Sequence, residues 1–107
     1  MVFEIEWLRG AQDELDAELA YVLDEFGLLA VRKAYQRIKT NVNRLESFPL
    51  IGTIYPNLTY KDCEVRKLVI HQVTVFYSPQ PDRVTILAVW NNSQNPARIL
   101  DRLSDLE

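Results

Sequence analysis

Two neighbouring β-strands are predicted by residues 65–77, which read VRKLVIHQVTVFY. The strands extend over residues 63–70 and 73–77, where β-branched and aromatic side chains favour extended backbone. Between them, His71 and Gln72 leave room only for a tight turn. The stretch therefore predicts a β-hairpin.

The last strand follows directly. Residues 78–82 (SPQPD) form a turn, because proline cannot donate to a strand ladder. Residues 83–90 (RVTILAVW) are β-branched and continuously apolar. A strand that is apolar on both faces is buried on both faces, so we expect it to lie centrally in the sheet.

The opening strand is shorter and half-buried. Residues 2–7 alternate, with Phe3, Ile5 and Trp7 on one face and glutamates on the other. Residues 49–56 are broken by prolines and a glycine, which predicts an irregular or short-strand segment.

Two helices lie between these regions. Apolar residues recur at three- and four-residue spacing from Leu8 to Phe26 and from Val31 to Leu45. Gly27 can end the first helix, and the second should end before Pro49. So short a connection folds the helices into an antiparallel hairpin, whose apolar stripes need a sheet to cover.

A short helix closes the chain after Asn95-Pro96, which supply an N-cap and a favoured first helical residue. The order is β-αα-βββ-α. We therefore expect one α+β domain over residues 1–107: an N-terminal strand, a helical hairpin on a mainly antiparallel sheet of about four strands, and a C-terminal helix.

Charge is unevenly distributed along the 107 residues, although the net charge is only −3. Residues 1–27 carry eight acids and one base, whereas residues 28–67 carry eight bases and three acids. One interpretation is that the two helices pair and their charges face each other. The other is that the basic middle binds an acidic partner. The net charge argues against a general nucleic-acid binder, so we expect no direct sequence-specific DNA binding.

Common catalytic and metal sites are not indicated. One cysteine and one histidine are too few for a zinc site, and we expect no metal or cofactor. Cys63 and His71 should lie at opposite ends of one strand, about 25 Å apart, so they form no dyad. The acids Asp13, Glu14, Asp16 and Glu18 are expected on the solvated side of the first helix. The chain has no apolar run for a signal peptide or a membrane span, and its single cysteine fits a reducing cytoplasm.

Four other side chains are candidates for a functional surface: Arg66, Lys67, Tyr77 and Trp90. Arg66 and Lys67 should point to opposite sheet faces, so one of them emerges opposite the helical hairpin. Arg66 could hold a phosphate through its forked donors, or it could pair with Glu64. Trp90, at the end of the last strand, is either core or a half-exposed anchor for a partner.

Three segments together resemble the RelE/ParE family of type II toxins. Residues 65–77 show the family's apolar residue, arginine, strand, turn and second strand ending in tyrosine. Residues 45–52 (LESFPLIG) are similar to its Leu-x-x-x-Pro-x-x-Gly helix exit, and residues 91–96 (NNSQNP) to its loop before the last helix. With the opening strand and the helical hairpin, the likeness covers about residues 2–103.

The resemblance implies a cytoplasmic toxin neutralised by a cognate antitoxin, with DNA gyrase or the ribosome as target and no membrane partner. RelE-like members cut mRNA using basic residues and an Arg, His or Tyr near the end of the last strand. Here Trp90, Asn91, Asn92 and Ser93 stand there instead. The resemblance therefore favours the ParE-like branch, which binds gyrase, and leans away from an enzyme.

Two alternatives stay open. One is an mRNA interferase that uses Arg66 and Lys61 to hold phosphate. The other is an inactive relative that only binds an antitoxin. In any of these cases the expected partner-binding residues are Arg66, Lys67, Trp90 and Asn92.

Overall fold

The computed structural model describes residues 2–106, which form a twisted sheet with two helices on one face. The elements are β1 (Glu4–Trp7), α1 (Arg9–Phe26), α2 (Leu28–Asn43), β2 (Thr53–Tyr60), β3 (Cys63–Ile70), β4 (Val73–Pro79), β5 (Arg83–Asn91) and α3 (Ile99–Ser104). Short 3-10 turns at Arg44–Glu46 and Pro96–Arg98 follow α2 and precede α3. None of the helices in this described range is long and apolar enough to cross a membrane.

The sheet order is β1-β5-β4-β3-β2, and only the β1–β5 pair is parallel. The expected fold class is confirmed, and the centre of β5 is buried as predicted. Its expected central place is not met, because β5 lies next to the edge strand β1 and β4 is the middle strand. The sheet has one strand more than expected. The segment broken by prolines forms the edge strand β2, where Pro56 is tolerated because an edge strand leaves one side unpaired. A register shift between Tyr55 and Thr59, with Asn57 at φ 66°, accommodates the break.

Gly27 joins α1 to α2 with no other residue between them. Its φ of 89° lies in the region that favours glycine, and it caps both helices at once. Its amide donates to the Leu23 carbonyl, and its carbonyl accepts from the Val31 amide. This geometry produces the predicted antiparallel helical hairpin.

Two apolar clusters hold the layers together. The larger joins the hairpin to one sheet face through residues such as Leu15, Val42, Tyr77 and Ile86. The smaller lies on the opposite face, where Leu103 of α3 belongs to the same cluster as Trp90 and Phe76. That second face is not sealed: Val69, which alternates with hairpin-side residues of β3, is 62% exposed.

Candidate partner-binding site

Arg66 is held inside the fold. Its Nη1 donates to the Leu50 carbonyl at 3.0 Å and to the Gly52 carbonyl at 2.7 Å, and its Nε forms an ion pair with Glu64. The ion pair lacks hydrogen-bond alignment, so Nε is buried without a true acceptor. Only 14% of the side chain is exposed. The predicted pairing with Glu64 is confirmed, and the guanidinium ties the segment before β2 to the sheet.

Tyr77 completes this contact from the paired position on β4. The Gly52 amide donates to its hydroxyl at 2.8 Å. A Cβ on Gly52 would lie 2.6 Å from that hydroxyl and 2.7 Å from the Lys67 carbonyl, so only glycine fits. We call Gly52, Arg66 and Tyr77, together with Glu64, the Arg66 lock. Gly52 lies in the family-like segment 45–52, and Arg66 and Tyr77 lie in the family-like segment 65–77. Their contacts hold the loop before β2 against the sheet.

Burial keeps Tyr77 neutral against the pull of its neighbours in the Arg66 lock. Burial raises the pKa of the Tyr77 phenol above 10.0, while the Gly52 amide and the Arg66 charge pull that pKa in the opposite direction. The phenol therefore stays protonated at neutral pH and acts as a hydrogen-bonding group.

The remaining predicted residues do not come together with Arg66. Lys61 lies in the β2–β3 turn with φ 49°, its amino group 5.6 Å from the centre of the Tyr60 ring. Lys67 is half-buried and points to the opposite face from Arg66, as predicted. Asn92 is exposed at the other end of the sheet, where its side chain accepts from Thr74 Oγ1 and donates to the His71 carbonyl.

Trp90 is core. It is 9% exposed and packs in the cluster that contains Leu103 of α3. The alternative of a half-exposed side chain is therefore wrong for this conformation. Its Nε1 is buried and has no hydrogen-bond partner within the part of the chain that the structure describes. A partner-binding role for Trp90 stays a prediction, and it would require α3 to move.

A groove of about 480 Å³ opens between the helical hairpin and the β3–β4 turn. We call it the hairpin groove. Residues from α1, α2, β3, the turn and β5 line it: Glu18, Tyr21, Val22, Phe26, Ala30, Lys33, Ala34, Arg37, Ile38, Ile70, His71, Gln72, Val73, Asn91 and Ser93. Its floor is apolar and its rim is charged, which is the usual composition of a partner-binding cleft. The apolar periodicity of the helices could not reveal it, because the groove depends on how the hairpin sits on the sheet.

Lys33 and Arg37 place two exposed positive charges on the α2 rim of the hairpin groove. Among residues 2–106, no ion pair joins α1 to α2. The described ion pairs therefore do not support the interpretation in which the charges of the two helices face each other. These basic side chains remain available to an acidic partner.

Two of the acids expected on the solvated side of α1 are in fact structural. Glu14 accepts from the Val89 amide at 3.1 Å, and Glu18 accepts from the Asn91 side-chain amide at 2.9 Å. Spaced four residues apart, both carboxylates point from α1 to β5. Asp13 and Asp16 are exposed, as expected. The placement of Glu14 and Glu18 was wrong because their partners lie more than 70 residues away.

The end of β5 offers no acid–base group of its own. Asn91 Oδ1 accepts from both the amide and the hydroxyl of Ser93, which closes the loop on itself. His71 is exposed nearby, and its imidazole lines the hairpin groove. Cys63 begins β3 and His71 directly follows its last residue, so the two stand at opposite ends of one strand, as predicted. No group of three or more His, Cys, Asp or Glu within residues 2–106 is placed to bind a metal ion.

Comparison with known proteins agrees with this architecture. The sequence profile of the ParE toxin of the type II toxin–antitoxin system parDE matches residues 5–96. A solved chain from the chromosomal ParDE TA system from P. aeruginosa superposes with a TM-score of 0.69 at 22% identity, over 84% of this chain and 96% of that one. At that identity the superposition establishes the fold alone. No curated protein matches the sequence. Because the profile spans most of the chain, this protein belongs to the ParE toxin family of type II toxin–antitoxin systems.

Proposed function

We propose that this protein is a cytoplasmic toxin that inhibits DNA gyrase by binding to it rather than by cutting RNA. The main support for this proposal is the Arg66 lock. Arg66, the strand residue that could hold a phosphate, already contacts two carbonyls and Glu64. The end of β5 adds no acid–base group that could protonate a leaving oxygen. Binding is therefore the activity that the site supports best.

Gyrase supercoiling assays with the purified protein test this proposal. We expect inhibition of supercoiling at stoichiometric concentrations, with no cleavage of mRNA on translating ribosomes. Ribosome-dependent mRNA cleavage with gyrase unaffected would overturn it. If expression causes no growth arrest and neither assay shows an effect, the protein is an inactive relative that only binds an antitoxin.

We also propose that the hairpin groove receives the neutralising antitoxin. In this proposal an amphipathic helix places its apolar stripe on the exposed rings of Tyr21 and Phe26 and its acidic side chains beside Lys33 and Arg37. Charge complementarity at such a rim selects the partner and speeds association. Family membership implies that an antitoxin exists, and a neighbouring small gene is the first candidate.

A matched pair of charge reversals tests the antitoxin site. Lys33→Glu with Arg37→Glu should weaken binding of the antitoxin by about 100-fold, because it places like charges together across the interface. Arg32→Glu with Lys39→Glu makes the same charge change on α2 outside the groove, and should alter affinity by less than about threefold. Equal effects of the two double variants would place the antitoxin elsewhere.

An mRNA interferase is the second candidate, and one observation favours it. His71 lines the hairpin groove together with Lys33 and Arg37, so an imidazole and two positive charges face the same cleft. In that case His71→Ala would abolish mRNA cleavage while the protein stays folded. Growth arrest that persists in His71→Ala without RNA cleavage would reject this candidate.

A further inference from the structure

The C-terminal helix α3 is short and covers a large apolar area. It has six residues, yet Leu103 is only 3% exposed, and Ile99 and Leu106 on either side of it pack on the same cluster as Trp90. A helix of this length has little stability by itself, so its position depends on what attaches it to the sheet.

One side chain attaches α3 by polar contacts. Arg102 forms two bonds with the Glu14 carboxylate, Nε to Oε2 and Nη2 to Oε1, each of 3.0 Å, and Nη2 also lies 3.4 Å from the Leu87 carbonyl. The hydroxyl of Ser104, by contrast, bonds within the helix, to the Leu100 carbonyl. Glu14 is itself fixed by the Val89 amide. The carboxylate is therefore a rigid anchor and the arginine is the removable part.

Gly10 provides the space for this contact. A Cβ at position 10 would lie 2.7 Å from Arg102 Nη2, so the guanidinium sits against the bare backbone of the first turn of α1. Its backbone has no positive φ that would require glycine. The absence of a side chain at Gly10 therefore leaves room for the contact between Arg102 and Glu14.

The covered surface carries an unpaired donor. Trp90 Nε1 is buried with no partner among the described residues. A buried donor without an acceptor costs free energy that is recovered once water or a ligand can reach it. The closed state is therefore less favourable than its apolar packing suggests, and an opened state gains a hydrogen bond.

We propose that α3 is a releasable cover, latched by Arg102 on Glu14, over a second binding surface centred on Trp90. This surface takes an apolar segment of a protein partner that carries a hydrogen-bond acceptor for the Trp90 indole. It lies on the sheet face opposite the helical hairpin, so it is separate from the hairpin groove. The inference does not depend on gyrase being the target.

The test compares Arg102→Ala with Arg98→Ala, which removes an exposed arginine from the 3-10 turn before α3. Both are made in a Trp7→Phe background, so that Trp90 is the only indole. We expect Arg102→Ala to raise amide hydrogen exchange in residues 99–104 at least tenfold, with β4 and β5 still protected. Trp90 emission should shift to longer wavelength and become accessible to iodide. Arg98→Ala should change neither signal.

Binding of anilinonaphthalene sulfonate, an apolar dye with a sulfonate acceptor, reports the uncovered surface. Its fluorescence should rise several-fold with Arg102→Ala and fall again when Trp90→Phe is added. Glu14→Gln, which keeps an acceptor for Val89 but removes the charge, should give a smaller change in the same direction. Unchanged exchange in α3 would overturn the latch, and so would equal loss of protection throughout the sheet in both variants. If adding Trp90→Phe leaves the dye fluorescence of Arg102→Ala unchanged, the dye does not bind at Trp90 and the proposed surface is wrong.

Discussion

Arg66 and Arg102 make the same kinds of contact in two very different settings. Each pairs with a glutamate and reaches a backbone carbonyl. Arg66 lies in the middle of β3, between two paired strands, and its side chain is 14% exposed. Arg102 extends from a six-residue terminal helix and is 25% exposed.

The difference shows that the supporting backbone, more than the bond partners, decides what an arginine contact does. Arg66 cannot leave without disturbing strands on both sides, so its contacts contribute to global stability. Arg102 can leave with α3 while the sheet stays intact, so its contacts control a local equilibrium.

Replacing Arg66 should have the largest effect. Arg66→Ala removes two carbonyl bonds and leaves Glu64 and the Gly52 carbonyl without their partner, so we expect a loss of about 3 kcal/mol of unfolding free energy. Urea denaturation measures it, with Arg32→Ala as an exposed control that should change stability by less than about 0.5 kcal/mol. A loss below about 1 kcal/mol would mean that the Arg66 lock is not structural.

Gly52→Ala should disturb the Arg66 lock through its loop residue instead of its arginine. The added Cβ meets the Tyr77 hydroxyl and the Lys67 carbonyl below 3 Å, and the strand backbone cannot easily retreat. We expect destabilisation of about 2 kcal/mol in thermal and urea unfolding. A neutral result would show that the loop before β2 adapts freely.

Tyr77→Phe should cost about 1 kcal/mol, since the buried Gly52 amide loses its acceptor. The pH dependence sharpens this prediction. The folded-state pKa of Tyr77 lies above 10.0, so the folded protein holds the phenol proton more tightly than the unfolded chain. That contribution is complete below pH 10.0 and is lost as the pH rises through the folded pKa. Unfolding free energy should therefore fall less steeply above pH 10 in Tyr77→Phe, and parallel curves would contradict the assignment.

Gly10→Ala should give the smallest change, and of the opposite sign. Alanine favours a helix by up to about 1 kcal/mol over glycine, and the Cβ displaces only the flexible end of Arg102. We expect unfolding free energy to rise by about 0.5 kcal/mol while hydrogen exchange in α3 increases. Calorimetry and exchange on the same sample measure both, and slower exchange in α3 would contradict the role given to Gly10.

Much of the fold could be predicted from the sequence because its elements have strong local periodicity. The helices, the β3–β4 hairpin and the buried strand β5 each follow from spacing that one segment carries by itself. β2 was harder to predict, since Pro56 and the irregularity at Asn57 conceal a strand that is tolerated only at an edge. The family-like segments contain Gly52, Arg66 and Tyr77, which the fold brings into contact.

The candidate site was less predictable, because it depends on contacts between distant segments. Glu14 and Arg102 are 88 residues apart, and nothing near either residue indicates the other. The hairpin groove likewise forms only when α1 and α2 meet the β3–β4 turn. The core position of Trp90 depends on α3, whose apolar face is clear in the sequence but whose docking place is not.

Primer extension on mRNA from cells that express the protein tests the central claim most directly, with wild type and Arg66→Lys compared. The claim is that Arg66 supports the fold and that toxicity comes from binding a protein. We expect intact mRNA in both, with growth arrest that declines in Arg66→Lys only in proportion to the amount of folded protein. Cleavage of ribosome-bound mRNA by the wild type that disappears in a fully folded Arg66→Lys variant would contradict it.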